Sequence, residues 1–328
     1  MLLTLNTNAV RSLVKPKGRA RPVVTAEDLP QYAKDQFGVH GVNFTTDILK
    51  GSDRRRIETI RERADKASCA CLVLIELETL MITDRRKAAN AVERTKRVLE
   101  AAHVLGCSSA AVPFEAPDTD EAFEIAAANL RQCVEHAEKR DMHLLMQPRP
   151  GLTGEPERLT DLIKKVGGFR LGTMPDFQTA AATDDPESYL RRITPYASLV
   201  NATTLHFDEP APAPPPAKKP AEASDAKSAD GEAEAKSEQE AGGDEDDLMA
   251  ALIGGGGGGG LEALLEAIDD EPPPLHTPYE LAPLLAAVQA VGYEGTLAVD
   301  YRGEDDVSLG ILHSVAALEA ALEELAGG

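Results

Sequence analysis

Residues 143–176 read HLLMQPRPGLTGEPERLTDLIKKVGGFRLGTMPD, and this stretch decides the fold. It opens on a strand-length apolar run, His143–Gln147, broken by Pro148 and Pro150. A helical pattern follows over Glu155–Val166, and a second apolar run over Arg170–Pro175. A strand, a helix and a strand in this order predict parallel strands joined by a crossover helix that covers the outside of the sheet.

Outward from this unit the same alternation repeats. Strand-like runs fall at Leu2–Asn6, Val39–Thr45, Cys69–Glu76, Ser109–Phe114, His143–Gln147, Arg170–Pro175, Ser198–Thr203 and Thr296–Tyr301. The first helix is opened by the capping pair Thr25 and Asp28. Later helical patterns cover Ser52–Ala67, Asp84–Leu105, Asp118–Arg140, Glu155–Val166, Pro186–Ile193, Pro278–Val291 and Val307–Leu325. Eight such units favour a closed (β/α)8 TIM barrel over an open sheet. An open dinucleotide-binding sheet carries a glycine-rich turn after its first strand, and Asn6–Val14 has no Gly. The glycine run Gly254–Gly260 is no phosphate loop, since no strand precedes it and no Lys-Ser/Thr follows.

The charge is unevenly spread. The chain has 328 residues and a formal charge of -21, yet residues 209–276 hold 17 Asp and Glu against 4 Lys, a net of -13 that leaves -8 for the rest. Pro, Ala, Glu, Lys and Gly at this density bury too little apolar surface to offset chain entropy. The expected organisation is one barrel domain built from 1–208 plus 277–328, with 209–276 as a long disordered acidic insertion between strand seven and the following helix. Two apolar patches, Leu248–Ile253 and Leu261–Ile268, flank the glycine run. In LEALLEAI, Leu261, Leu264, Leu265 and Ile268 share a helical face. Residues 248–268 are thus either a partner-docking helix on a tether or a transient helix in a spacer.

The acidity argues against nucleic acid and anionic membrane as partners, because both repel a chain of this sign. No run approaches the roughly 20 apolar residues of a bilayer span, and MLLTLNTNAV has no basic region before its apolar start. A cytoplasmic location is expected. Four Cys without a C-x-x-C pair make no disulfide framework and are expected as small core residues.

Barrel chemistry sits at the C-terminal ends of the strands. Four consecutive strands end in polar residues: Gln147; Asp176; Asn201 with Thr203, Thr204 and His206; and Asp300 with Arg302. Buried polar side chains are costly unless paired or bound, so they form either a ligand site or a hydrogen-bonded layer closing the barrel. Arg149 and Arg302 flank this mouth and suit a phosphate or carboxylate, or pair locally with acids such as Glu304. Glu76, Glu78 and Glu115 follow strands three and four and offer further carboxylates or remain solvated.

Four stretches, TAEDLPQYAKDQFGVHGVNF, GLTGEPERLTDLIKKVGGFRLGTMPDFQ, VNATTLHFDEP and VGYEGTLAVDYRGEDD, resemble in order and spacing the sugar phosphate isomerase/epimerase family of xylose isomerase-like TIM barrels. The resemblance implies a divalent metal held by Glu, Asp, His and Glu at the ends of strands five to eight. These positions fall on Gln147, Asp176, Asn201 and Asp300, and the family's substrate Lys falls on Thr203. It also implies that the two Glu positions, here Gln147 and Asp300, pass protons at the sugar carbon. Gln147 cannot ionise. Asn201 offers a weaker ligand than imidazole for Zn or Mn. Only a weakly held Mg, Mn or Zn, or none, is expected.

Two functional readings follow. One is a sugar or sugar-phosphate isomerase/epimerase with a weakened metal site. The other is a catalytically inactive barrel that binds a sugar-like ligand or a protein partner, with the acidic insertion as tether. In both, a small carbohydrate or sugar phosphate would meet Arg149, Thr203, His206 and Arg302.

Overall fold

The computed structural model describes residues 1–18, 20–208 and 274–327. Eight parallel strands form the curled sheet of a TIM barrel: β1 Leu2–Asn6, β2 Gly41–Thr45, β3 Ala70–Ile75, β4 Ser109–Glu115, β5 His143–Gln147, β6 Leu171–Thr173, β7 Leu199–Thr204 and β8 Thr296–Tyr301. Hydrogen-bonded neighbours run β6-β5-β4-β3-β2-β1-β8-β7, with a short strand, Leu80–Met81, beside β4. The β8–β7 ladder runs unbroken from Thr296↔Leu199 to Tyr301↔Thr204. Between β6 and β7 the barrel closes through two isolated bridges, Thr173↔Ala197 and Asp176↔Asn201. β6 is cut short by Pro175, which has no N–H to donate, although its carbonyl still accepts from Asn201 N at 2.8 Å. The weakest seam of the cylinder therefore carries two of the expected site residues.

Side chains alternate across each strand. Leu144 and Met146 of β5, Val200 and Ala202 of β7, and Leu297 and Val299 of β8 belong to the large core between sheet and helices. Val73, Ile75, Ala111, Leu145, Met174, Leu199 and Ala298 form a separate apolar cluster inside the barrel. Two residues further along the same inward rows, Leu145 is succeeded by Gln147, Leu199 by Asn201 and Ala298 by Asp300. A dry plug thus supports a polar layer at the C-terminal mouth.

The outer helices are α1 Leu29–Phe37, α2 Arg54–Ala67, α3 Ala88–Leu105, α4 Asp120–Glu138, α5 Pro156–Val166, α6 Pro186–Ile193, α7 Leu281–Gln289 and α8 Val307–Gly327. Asp53, Thr119 and Asp185 cap α2, α4 and α6 by accepting backbone N–H groups. Several starts fall later than the sequence expectation, and two of them have a visible cause. Asp84 accepts from Arg86 N and Lys87 N, both at 2.9 Å, which closes a turn and delays α3 to Ala88. Thr25 and Asp28 bond each other across the turn before α1, which begins at Leu29.

After β7 the chain pairs Phe207–Asp208 antiparallel with Leu275–His276, which the sequence reading had placed inside the insertion. The acidic segment and the 248–268 patches otherwise lie outside the described residues. Among the described residues no helix is long and apolar enough to cross a membrane. All four Cys are buried and unpaired, and burial pushes the Cys71 thiol up to about 12.

Candidate functional site

The polar layer opens into a pocket of about 200 Å³ at the mouth, lined by residues from all around the barrel, including Asn6, Gln147, Arg149, Asp176, Asn201, Asp300 and Arg302. Asp300, one residue before the end of β8, is fully buried. Its Oδ2 accepts from Arg302 Nη2 at 2.6 Å, Asn201 Nδ2 at 2.9 Å, Arg302 Nε at 3.0 Å and Asn6 Nδ2 at 3.3 Å, and its Oδ1 from Asn8 Nδ2 at 3.1 Å. Asp176 stands at the end of the sixth strand as the N-cap of a short helix, Phe177–Ala181. Its Oδ1 accepts from Thr179 N and Oγ1, at 2.9 and 3.1 Å. Its Oδ2 accepts from Thr203 Oγ1 at 2.6 Å, Asn201 Nδ2 at 2.7 Å and Arg302 Nη2 at 3.3 Å. Asn201 sits between the two carboxylates, and its Oδ1 accepts from Asn6 Nδ2 at 2.9 Å.

The two arginines at the mouth differ. Arg302 spans both carboxylates, and its Nη1 donates to Gln178 Oε1 at 2.9 Å. Burial works against its charge, but Asp300 and Asp176 outweigh burial and raise its pKa. Among the described residues Arg149, half-buried, makes no ion pair, and its Nη1 donates to the neighbouring Pro148 carbonyl at 3.0 Å. Burial pulls its pKa below the ordinary arginine value, with Asp176 opposing and Arg302 reinforcing that shift. Its loop is braced by Thr153 Oγ1, which accepts from Arg149 N at 3.0 Å. Gln147 Nε2 donates to the Glu76 carbonyl at 2.9 Å, leaving the Oε1 end of the amide for a ligand.

The structure thus gathers Gln147, Arg149, Asp176, Asn201, Asp300 and Arg302 around one pocket. Thr203 lies just beneath, fully buried, and serves Asp176 rather than lining the pocket. His206 stands apart on the rim with its side chain 58% exposed, 3.3 Å from Asp208 and 3.4 Å from Asp305. Glu76 belongs to a neighbouring cavity, where Arg94 at 2.5 Å and Thr46 at 2.8 Å hold its carboxylate. Sequence reasoning missed Asn6 and Asn8. The rule that found the other strands, a polar residue where a buried strand ends, applies equally to Asn6 at the end of β1.

A family model described as "Xylose isomerase-like TIM barrel" matches residues 31–216. The chain belongs to that family. No curated protein is similar to it in sequence. Among solved structures, this xylose isomerase-like barrel is similar to an L-ribulose 3-epimerase, with a TM-score of 0.63 and 14% identity over 99% of this chain and 97% of the other. It is also similar to an IOLI protein solved with a bound zinc atom, with a TM-score of 0.60 and 10% identity over 99% and 98% of the two chains. A xylose isomerase-like TIM barrel/4-hydroxyphenylpyruvate dioxygenase fusion protein matches with a TM-score of 0.60 and 16% identity over 99% of this chain, which spans 43% of the fusion. At these identities the likeness shows the fold.

The family implies a divalent metal at this mouth, and the donor set does not fit one as it stands. A cation needs lone pairs facing it. Those of Asp300 Oδ2 and Asp176 Oδ2 face N–H and O–H donors, and Asn201 turns its amide nitrogen toward both carboxylates. Among the described residues no group of three or more His, Cys, Asp or Glu is placed to hold a metal ion.

Proposed function

We propose that this xylose isomerase-like barrel binds a small anionic carbohydrate, a sugar phosphate or sugar acid, without isomerising it. Arg149 carries the reading. A half-buried guanidinium with no ion pair among the described residues is expensive to hold, and a ligand anion would compensate it. Around it, Asn6, Asn8, Gln147 and Asn201 line the pocket with amides suited to hydroxyl groups. A general base needs a free lone pair within reach of the substrate C–H. Asp176 has the lone pairs of both oxygens engaged, Asp300 has Oδ2 held by three side chains and Oδ1 by Asn8, and Gln147 is not a base. The sugar-processing relatives support the ligand class at the level of the fold.

Calorimetry with ketose phosphates and sugar acids, beside the same sugars without the acid group, tests the binding. The acid-bearing ligands bind more tightly, and Arg149→Met weakens them by about 10- to 100-fold, the worth of a charged hydrogen bond. Equal affinity for neutral sugars would sink the anion reading. Proton NMR in deuterated water tests the absence of turnover. No deuterium enters a sugar C–H position; wash-in that disappears with Asp300→Asn would make the chain an isomerase or epimerase instead.

A further inference from the structure

We propose that the guanidinium of Arg302 holds the place of the divalent cation in this barrel. It is a resident, covalently attached counter-charge for Asp176 and Asp300. To ligands it presents an N–H edge in place of an open coordination position.

The backbone after β8 is built to bring it there. Arg302 N donates to Thr204 O at 2.8 Å, which continues the ladder one residue past the strand. The next residue must be glycine, because a Cβ on Gly303 would lie 2.0 Å from the Leu205 carbonyl oxygen. The turn therefore hugs β7, and the arginine side chain folds back over the mouth. There Nε and Nη2 meet Asp300 Oδ2 at 3.0 and 2.6 Å, Nη2 also meets Asp176 Oδ2 at 3.3 Å, and Nη1 is anchored by Gln178.

Two independent features of the same residues agree. The first is charge. Gln147 and Asn201 are neutral, so two carboxylates are the whole anionic complement of the quartet, and one guanidinium offsets half of it. The second is orientation. Asn201 is fixed with its nitrogen toward the carboxylates because Asn6 Nδ2 occupies its oxygen on the other side. Asn6, Asn201, Thr203 and Arg302 all aim donor hydrogens at the oxygens that a metal would need, and those dipoles repel a second cation. By the count of guanidinium donors, one N–H of Nη1 is left for a ligand oxygen.

The inference goes beyond the proposed binding function and is tested separately, with metal ions alone. The full chain is stripped with EDTA and titrated with Mn2+, Zn2+ and Mg2+ by calorimetry, and its melting temperature is followed with and without chelator. Wild type shows no saturable binding below about 1 mM and melts identically in EDTA. Arg302→Met leaves the two carboxylates without their counter-charge, so Mn2+ or Zn2+ binds at least about tenfold more tightly than to wild type and raises the melting temperature. Asp176→Asn on that background abolishes the gain, and Arg302→Lys, which keeps the charge, shows none. Stoichiometric submillimolar metal binding by wild type, lost with Asp176→Asn, overturns the proposal. So does a folded Arg302→Met chain that binds metal no better than wild type. The wild-type titration decides the matter even where Arg302→Met does not fold. A tight wild-type metal site would leave Arg149-dependent sugar binding standing, and failure of that binding would leave the metal titrations unaffected.

Discussion

Asp300 is the residue on which the mouth converges. Asp300→Ala strands a guanidinium and the amides of Asn6, Asn8 and Asn201 together. Breaking a buried pair from one side costs about 3–5 kcal/mol, and urea denaturation should read a loss of that order. Arg149 makes the opposite case. Its charge is half-buried without an ion pair among the described residues, so Arg149→Met should leave the barrel as stable or up to about 1 kcal/mol more stable while the anionic ligand is held more weakly. A marked loss of stability in that variant would mean that Arg149 serves the fold. Residue by residue, the positions of Gln147, Asp176, Asn201 and Asp300 were legible, because buried strands that end in polar side chains must meet partners. What each one bonds was not. Asn8 was invisible, since nothing local sets a loop asparagine apart. His206 was legible as a candidate, but a position two residues past a strand does not say whether a side chain turns to the mouth or to the rim.

At the scale of elements, the loop after β5 and the paired strands after β7 carry separate expectations. Gly151 has φ +93°, and a Cβ there would lie 2.4 Å from the Ala116 carbonyl oxygen. Gly151→Ala should cost about 1–3 kcal/mol and weaken ligand binding, because the same loop presents Arg149. The paired strands are pinned by His276: its Nε2 accepts from Leu205 N at 3.0 Å while its Nδ1 donates to the Tyr279 carbonyl at 2.8 Å. Both bonds together require the neutral ring. Burial lowers the His276 pKa below its ordinary 6.5, the Tyr279 carbonyl opposes this, and His206 adds to the lowering. The unfolded chain therefore takes up the proton first. This stabilisation is complete above about pH 6.5 and falls away as pH drops toward and through the lowered folded value. Burial also lowers His143 and His313, which steepens the same slope. His276→Gln should flatten stability against pH over that window, as read by thermal melts; an unchanged slope would exclude His276 as a contributor. Element order and type were readable from periodicity, and the starts were not. Asp84 closes a turn instead of capping the helix at once, a choice between two local hydrogen-bonding patterns that the same residues permit.

For the whole molecule, the chain leaves the barrel and returns to it at neighbouring points. Asp208 pairs with Leu275 and Phe207 with His276, antiparallel, so the two ends already meet as a hairpin does. Replacing residues 209–274 by Asn-Gly should close that hairpin and leave the melting temperature within about 2 °C of the full chain by calorimetry. A fall of about 10 °C would show that the acidic segment contributes to the barrel. The sequence by itself determined the (β/α)8 architecture, its interruption and the strand ends at which polar groups gather, because alternation, periodicity and composition are local properties written along the chain. Only the tertiary structure decided that an arginine from the eighth strand end lies across the carboxylates of the sixth and eighth, and that Arg149 meets no acid among the described residues. Those outcomes depend on distances between side chains far apart in sequence, set by how the cylinder closes at its weakest seam.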